Sequence, residues 1–392
     1  MKTVDAAGLA IGDDAPTRIM GVLNVSVESP YDASVFEDPG AAAQYVDDEL
    51  IDEGADIVDI GLESANKRFE VLSAEEELDR LDTAIETIES VSGDAVYSIE
   101  TRYAEVAERA LDRGFDMVND ICGFADPALR DVCERRNVAV VKMASPPDLE
   151  RPGAVEETDW AQVRSPEWAA RADYVDQVYA ALERGGLTDE TIVDPAFGGW
   201  SEAKTLANDR ETFQRLREFR ALDRPILVSI NRKNFLRSLA DRSTEDALPV
   251  SLAATSMAIE RGAHVVRTHD VAETRDAARI GDAFTPTLAS DVADGVTIEE
   301  VAVDGRREAA RYLDAGTIDP AEATCRVAKL TGIDARERAA LAQSAAESGV
   351  TFVGDEPTLL FGSDAAIRRL VSGLSGHDRL VNALSAFRHG VE

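Results

Sequence analysis

Eight apolar runs of strand length, separated by amphipathic stretches of helix length, constrain this chain more than any other feature. The runs are 18–25, 55–61, 95–100, 117–121, 138–143, 191–196, 225–231 and 264–269. The helical stretches between and after them are 41–53, 74–91, 104–113, 127–136, 166–184, 210–221, 248–261 and 271–283. Near-continuous apolar strands, as opposed to alternating ones, belong to a parallel sheet covered on both faces. Eight such units fit a closed (β/α)8 TIM barrel, class α/β. An open doubly wound sheet has about six strands and a Gly-rich first turn, and neither is present. Around 285–290, with Pro286, the pattern breaks. The expected organisation is a barrel over 1–284 and a small α/β or helical C-terminal domain over 285–392. In the latter, strands are expected at 296–303 and 350–353, and helices at 306–315, 320–330, 335–348, 364–374 and 378–387.

The strand ends carry a polar set: Asn24, Asp59, Glu63, Glu100, Asn119, Asp120, Lys142, Asp194, Asn231, Arg232, Lys233, Arg267, His269 and Asp270. In a barrel all these ends meet at one rim, where TIM-barrel enzymes keep their active sites. Ordinary exposure at strand ends explains scattered polar residues but not this collection. Arg267 and His269 alternate on the last strand, so they are expected to point the same way.

Composition removes several classes. The net charge is −34, from 75 acidic and 41 basic residues. The acids are spread between apolar runs, which argues against an acidic tail and for the hydrated surface of a halophile's cytoplasmic protein. Such a surface repels nucleic acid and anionic membranes. No run of about 18 apolar residues exists to span a bilayer, and the first sixteen residues lack a secretory apolar core. Cys122, Cys133 and Cys325 form no C-x-x-C pair, and the four histidines have no ligand spacing, so neither a disulfide frame nor a zinc site is expected.

Seven segments, in order, resemble dihydropteroate synthase, a pterin-binding barrel family. They are IMGVLNVS at 19–26, GADIVDIGLES at 54–64, SIET at 98–101, VNDI at 118–121, DPAFG at 194–198, NRKNF at 231–235 and VRTHDVAET at 266–274. The resemblance implies a transferase of folate biosynthesis. It would join 6-hydroxymethyl-7,8-dihydropterin pyrophosphate to p-aminobenzoate or a related arylamine, releasing pyrophosphate. It places the pterin against Asn119, Asp194 and Lys233, and against Glu100, where the family has aspartate. It places the diphosphate at Asn24, Arg267 and His269, with Mg2+ on Asn24, and names Lys233, Arg267 and His269 as the catalytic group. The amine side falls to Ser64, Arg68, Asn231 (serine in the family) and Arg232. A homodimer is expected by the same resemblance.

The chemistry fits these residue types. A carboxylate such as Asp194 or Glu100 accepts two parallel hydrogen bonds from a pterin edge. Arginine offers a fork to phosphate oxygens, and positive charge is needed where the leaving group becomes anionic. A hard cation that is already bound by phosphate oxygens needs few protein ligands. The family's E-S-T-R-P loop reads Glu63-Ser64-Ala65-Asn66-Lys67-Arg68 here, and the loop after the sixth strand is longer than its G-F-G-K form. These departures fall on the amine side. They leave two rivals: a non-catalytic pterin-binding paralogue, and a methyltetrahydrofolate:corrinoid methyltransferase, which has no use for a diphosphate site.

Overall fold

A closed ring of parallel strands organises the first part of the chain in a computed structural model, which describes residues 1–25, 34–63, 71–288, 290–293, 296–313, 318–354 and 357–389. A short hairpin, β1 (Val4–Ala6) and β2 (Leu9–Ile11), precedes eight strands: β3 (Arg18–Asn24), β4 (Ile57–Gly61), β5 (Val96–Thr101), β6 (Met117–Asp120), β7 (Ala139–Met143), β8 (Thr191–Asp194), β9 (Leu227–Val228) and β10 (Val265–Thr268). Their order is β8-β7-β6-β5-β4-β3-β10-β9, all pairings parallel. A parallel bridge between Val193 and Ile226 joins the two ends and closes the barrel. The hairpin contributes Val4, Ala6 and Ile11 to the apolar cluster of the barrel floor, with Met20, Ile57, Val96, Met117, Val141, Ile192, Leu227 and Val265. Its strands are only three residues long, too short to carry a sequence signal of their own.

Helix starts are written in local chemistry. Ser73 and Glu76 form a capping box at Ala74–Ser90, and Thr205 with Asn208 does so at Leu206–Gln214. Such caps are worth about 1 kcal/mol each. Two expected helices are interrupted. The 166–184 stretch is divided into Pro166–Ala169 and Tyr174–Glu183, because Asp173 caps the second piece. The 210–221 stretch is displaced to Leu206–Gln214 and continues as the 3-10 turn Leu216–Leu222.

The chain divides into two compact units, Met1–Pro286 and Thr287–Glu392. The second contains a hairpin, β11 (Ser290–Ala293) with β12 (Val296–Glu299), and an antiparallel sheet in the order β13 (Cys325–Leu330), β15 (Thr358–Ser363), β14 (Thr351–Val353). Helices Ala335–Ser348 and Asp364–Gly373 cover one face of that sheet through Leu341, Leu360, Ile367 and Leu370. The helix expected at 320–330 is corrected: only Pro320–Glu322 turns, and Cys325–Leu330 is a strand. Pairing along β15, with Ala328 opposite Leu360, overrides the weak helical pattern. No described helix is long and apolar enough to cross a membrane.

Candidate active site

Strand parity decides which tip residues reach the lumen. The floor residues Ile57, Val96, Met117, Ile192 and Val265 face inward, so the residues two places on, Asp59, Ser98, Asn119, Asp194 and Arg267, do the same one layer higher. Glu100 and Asn24 face the lumen above that layer.

Asp59, fully buried, is the hub. It accepts hydrogen bonds from Ser98 Oγ at 2.7 Å, Asn119 Nδ2 at 2.9 Å and Arg267 Nε at 2.7 Å. Arg267 Nη2 donates to Glu100 Oε2 at 2.7 Å, and Asn119 Nδ2 reaches the same oxygen at 3.5 Å. Two carboxylates therefore share one guanidinium. Burial pushes the Glu100 carboxyl up to about 7 despite the pull of Arg267, with Asp59 adding repulsion. Burial also works against the Arg267 charge, but Glu100 and Asp59 outweigh it and hold its pKa above the usual arginine value.

Asp194 and Lys233 form the second wall. Asp194 Oδ1 accepts the backbone N–H of Ala196 at 2.7 Å. Burial raises this carboxyl to about 6, although Ala196 N–H and Lys233 oppose the shift. Lys233 stands at the start of helix Asn234–Ala240, and its pKa is lowered by burial and then by Arg267. Its ammonium lies 5.9 Å from the Trp200 ring centroid. A Cβ on Gly198, whose φ is +117°, would come within 3.1 Å of Lys233 Nζ, so glycine leaves room for this ammonium. Lys204, paired with Asp209 at 2.9 Å, and Asp209, accepting from Gly198 N, hold that loop in place.

At the mouth, Asn24 Nδ2 donates to Ser34 Oγ at 3.0 Å, and Ser34 Oγ lies 3.4 Å from His269 Nδ1. Burial lowers His269 to about 3, and the nearby Arg267 charge pushes the same way, so the ring is neutral. Asn24, Glu100, Asn119, Asp194, Lys233, Arg267 and His269 are thus brought to one mouth.

Asn231 and Arg232 are engaged elsewhere. Asn231 Nδ2 and the Arg232 Nε and Nη2 atoms all donate to the Asp270 carboxylate at 2.8 Å, and Arg232 Nη1 reaches the carbonyls of Thr244 and Glu245 at 2.8 Å. They tie the tip of β9 to the start of helix Val271–Phe284. Asp120 and Lys142 point outward into the helix layer. Glu63 is paired with buried Arg102 at 3.1 Å. Ser64 and Arg68 lie outside the described residues.

Asp59 was expected at the rim without an assigned role, whereas Ser34, Trp200 and Lys204 were not among the expected site residues. The place of Asp59 at a strand tip was legible, but its facing the lumen was not, since only the closed barrel turns Ile57 and Asp59 inward. Ser34 was not legible, because only the tertiary structure sets it beside Asn24. Among the described residues, no three His, Cys, Asp or Glu side chains form a metal-binding group.

A parallel eight-stranded barrel with carboxylates, a lysine and an arginine converging at its C-terminal mouth defines a TIM-barrel enzyme. Residues 20–269 match the model of the pterin binding enzyme family, and the chain belongs to that family. The probable bifunctional folylpolyglutamate synthase/dihydropteroate synthase of Halobacterium salinarum is 34% identical over 270 residues, covering 68% of this chain and 31% of that protein. The chain thus spans about a third of the length of that relative. The dihydropteroate synthase of Clostridium beijerinckii is 31% identical over 268 residues, covering 68% of this chain and 93% of that enzyme. The crystal structure of dihydropteroate synthase from Thermus thermophilus in complex with 4-aminobenzoate aligns with a TM-score of 0.56 and 28% identity, covering 72% of this chain and 100% of that one.

Proposed function

We propose that the chain condenses 6-hydroxymethyl-7,8-dihydropterin pyrophosphate with p-aminobenzoate, or a related arylamine, to give dihydropteroate and pyrophosphate. The observation that carries this reading is the convergence of Asn119, Asp194, Lys233, Glu100 and Arg267 on one lumen. Asp194 and Asn119 hold the amide-like edges of the pterin, and Lys233 donates to a ring acceptor. Glu100 and Asp59 keep Arg267 in position beside the reacting methylene. As the methylene C–O bond breaks, Arg267 and the neutral N–H of His269 stabilise the departing diphosphate. The amine nitrogen forms the new C–N bond and loses a proton to solvent. No nucleophilic side chain is required.

The donor set suits Mg2+. The Asn24 amide directs its N–H toward Ser34, so its oxygen is the group presented to a cation. A hard ion bound mainly by diphosphate oxygens and water takes one such ligand. When bound, it supplies further charge neutralisation for the leaving group. On the amine side, Ser64 and Arg68 remain part of the proposal. Asn231 and Arg232 would meet an amine carboxylate only in exchange with Asp270.

We further propose a cytoplasmic, salt-adapted homodimer. The barrel helices Leu248–Glu260 and Val271–Phe284 support self-association through Met257, Ile280 and Phe284, which are 47%, 56% and 79% exposed. The reaction is tested by incubating the full chain with the pterin pyrophosphate, Mg2+ and p-aminobenzoate in multimolar KCl, with pyrophosphate and dihydropteroate as readouts. Formation of both supports the transferase. Tight pterin pyrophosphate binding without turnover on any arylamine overturns it in favour of a non-catalytic paralogue. Affinity for methyltetrahydrofolate but not for the pyrophosphate overturns it in favour of a methyltransferase.

A further inference from the structure

Gly61 stands between two side-chain oxygens at the barrel mouth. In the parallel register Asn24 of β3 pairs with Gly61 of β4, and Gly61 pairs with Glu100 of β5, so the three form one row across adjacent strands. All three belong to the lumen-facing set of their strands. The middle member has no side chain, and its neighbours lean over the gap. A Cβ on Gly61 would lie 3.2 Å from Asn24 Oδ1 and 3.7 Å from Glu100 Oε1. Gly61 is not among the glycines with positive φ, so its value here is space and not backbone freedom.

The two oxygens of Glu100 are used differently. Oε2 accepts from Arg267 Nη2 at 2.7 Å and lies 3.5 Å from Asn119 Nδ2. Among the described residues, neither Glu100 Oε1 nor Asn24 Oδ1 accepts a hydrogen bond. Charge makes the gap informative. Arg267 is already paired with Asp59 and with Glu100, each at 2.7 Å. One guanidinium between two carboxylates is formally one negative charge, which repels a diphosphate unless a cation lies between them. Mg2+ suits such a place, because it keeps several waters and takes one or two protein oxygens besides those of a phosphate.

We propose that Glu100 Oε1 and Asn24 Oδ1 together hold the divalent cation that accompanies the diphosphate, over the gap left by Gly61. Glu100 then links the cation to Arg267, one through each carboxylate oxygen. The identity of the anion rests on the transferase reading; the two-oxygen seat does not.

The test is calorimetry of inorganic pyrophosphate with the full chain, at pH 8 in multimolar KCl, with excess Mg2+ and again with a chelator. Wild type is expected to bind more tightly with Mg2+. Gly61→Ala puts a methyl group into the seat. It should weaken binding in Mg2+ by at least about tenfold, since loss of even an outer-shell partner of a metal costs about ten- to a hundredfold, and change metal-free binding by less than about twofold. Glu100→Gln should also weaken binding in Mg2+, yet bind pyrophosphate in chelator as well as wild type or better, because the carboxylate then faces the anion directly. A carboxylate that only steadied Arg267 would weaken both conditions alike. Unchanged binding in Mg2+ in either variant, equal loss with and without the metal, or a wild type that gains nothing from Mg2+ overturns the proposal. If Gly61→Ala does not fold, Glu100→Gln decides alone through its reversal between the two conditions. A chain that shows this Mg2+ pattern with inorganic pyrophosphate but does not bind 6-hydroxymethyl-7,8-dihydropterin pyrophosphate keeps the cation seat and loses the transferase reading.

Discussion

Asn119 and Asp120 are neighbours on one strand, yet they belong to different regions. Asn119 faces the lumen and bonds to Asp59 and Glu100. Asp120 faces the helix layer and accepts the backbone N–H groups of Cys122, at 2.8 Å, and Phe124. Lys142, also outward and fully buried, donates to the carbonyls of Leu182 at 2.8 Å, Gly186 at 3.0 Å and Arg184. Burial alone therefore does not mark a functional charge. The outer charges are satisfied by backbone and hold loops. The inner ones are held mostly by one another, and Lys233 has no side-chain hydrogen-bond partner among the described residues. An arrangement of that kind suits an arriving ligand.

Exchanging residues across the two faces tests this contrast. The largest effect is expected for Arg267→Ala, which should lower kcat/KM for the pterin pyrophosphate by about a thousandfold, the range for losing a key group at a developing anion. A loss below tenfold in steady-state assays would break the link between the inner face and leaving-group departure. Next comes Asp194→Asn, which keeps an acceptor for Ala196 N–H but removes the charge. Pterin affinity by calorimetry should fall about tenfold to a hundredfold, in line with a lost charged hydrogen bond. The same variant should melt higher at pH 8. A carboxyl raised to about 6 stabilises the fold below its ordinary pKa, and that contribution is lost as pH rises from about 4 to 6. Weaker binding with higher stability is the signature of a functional group.

Lys142→Met should do the reverse. It strands three carbonyls at a cost of about 3 kcal/mol, which corresponds to a melting temperature lowered by roughly 6–12 °C for a unit of this size. KM values should stay within about twofold. The smallest change is expected for Glu77→Gln. Glu77 is buried against Thr101 Oγ1 at 2.5 Å, and burial raises it to about 7. Its fold-stabilising protonated form is present below the usual carboxylate pKa and is lost as pH climbs through 7. Glutamine should therefore raise the melting temperature at pH 8 by about 2–4 °C, leave it unchanged at pH 5, and leave activity unaltered. A changed KM for Glu77→Gln would mean that the two faces are coupled.

Much of the barrel was legible because its signals are local: apolar runs, caps such as Ser73 with Glu76, and strand-tip motifs. The short hairpin Val4–Ala6/Leu9–Ile11 and strand β13 were not, since each is held by partners distant in sequence. The site was legible in membership more than in wiring. Asn231 and Arg232 resembled substrate contacts, but their shared partner, Asp270, lies 39 and 38 residues further along the chain.

Sequence alone determined that eight strand–helix units would be built and which polar residues would stand at their ends, because hydrophobic period and turn chemistry are written residue by residue. Tertiary structure decided which of those residues look inward. A parallel barrel is buried on both faces, so its strands carry no polar–apolar alternation to tell lumen from helix layer. Only closure of the ring assigned Asn119 and Arg267 to the lumen and turned Asp120 and Lys142 away.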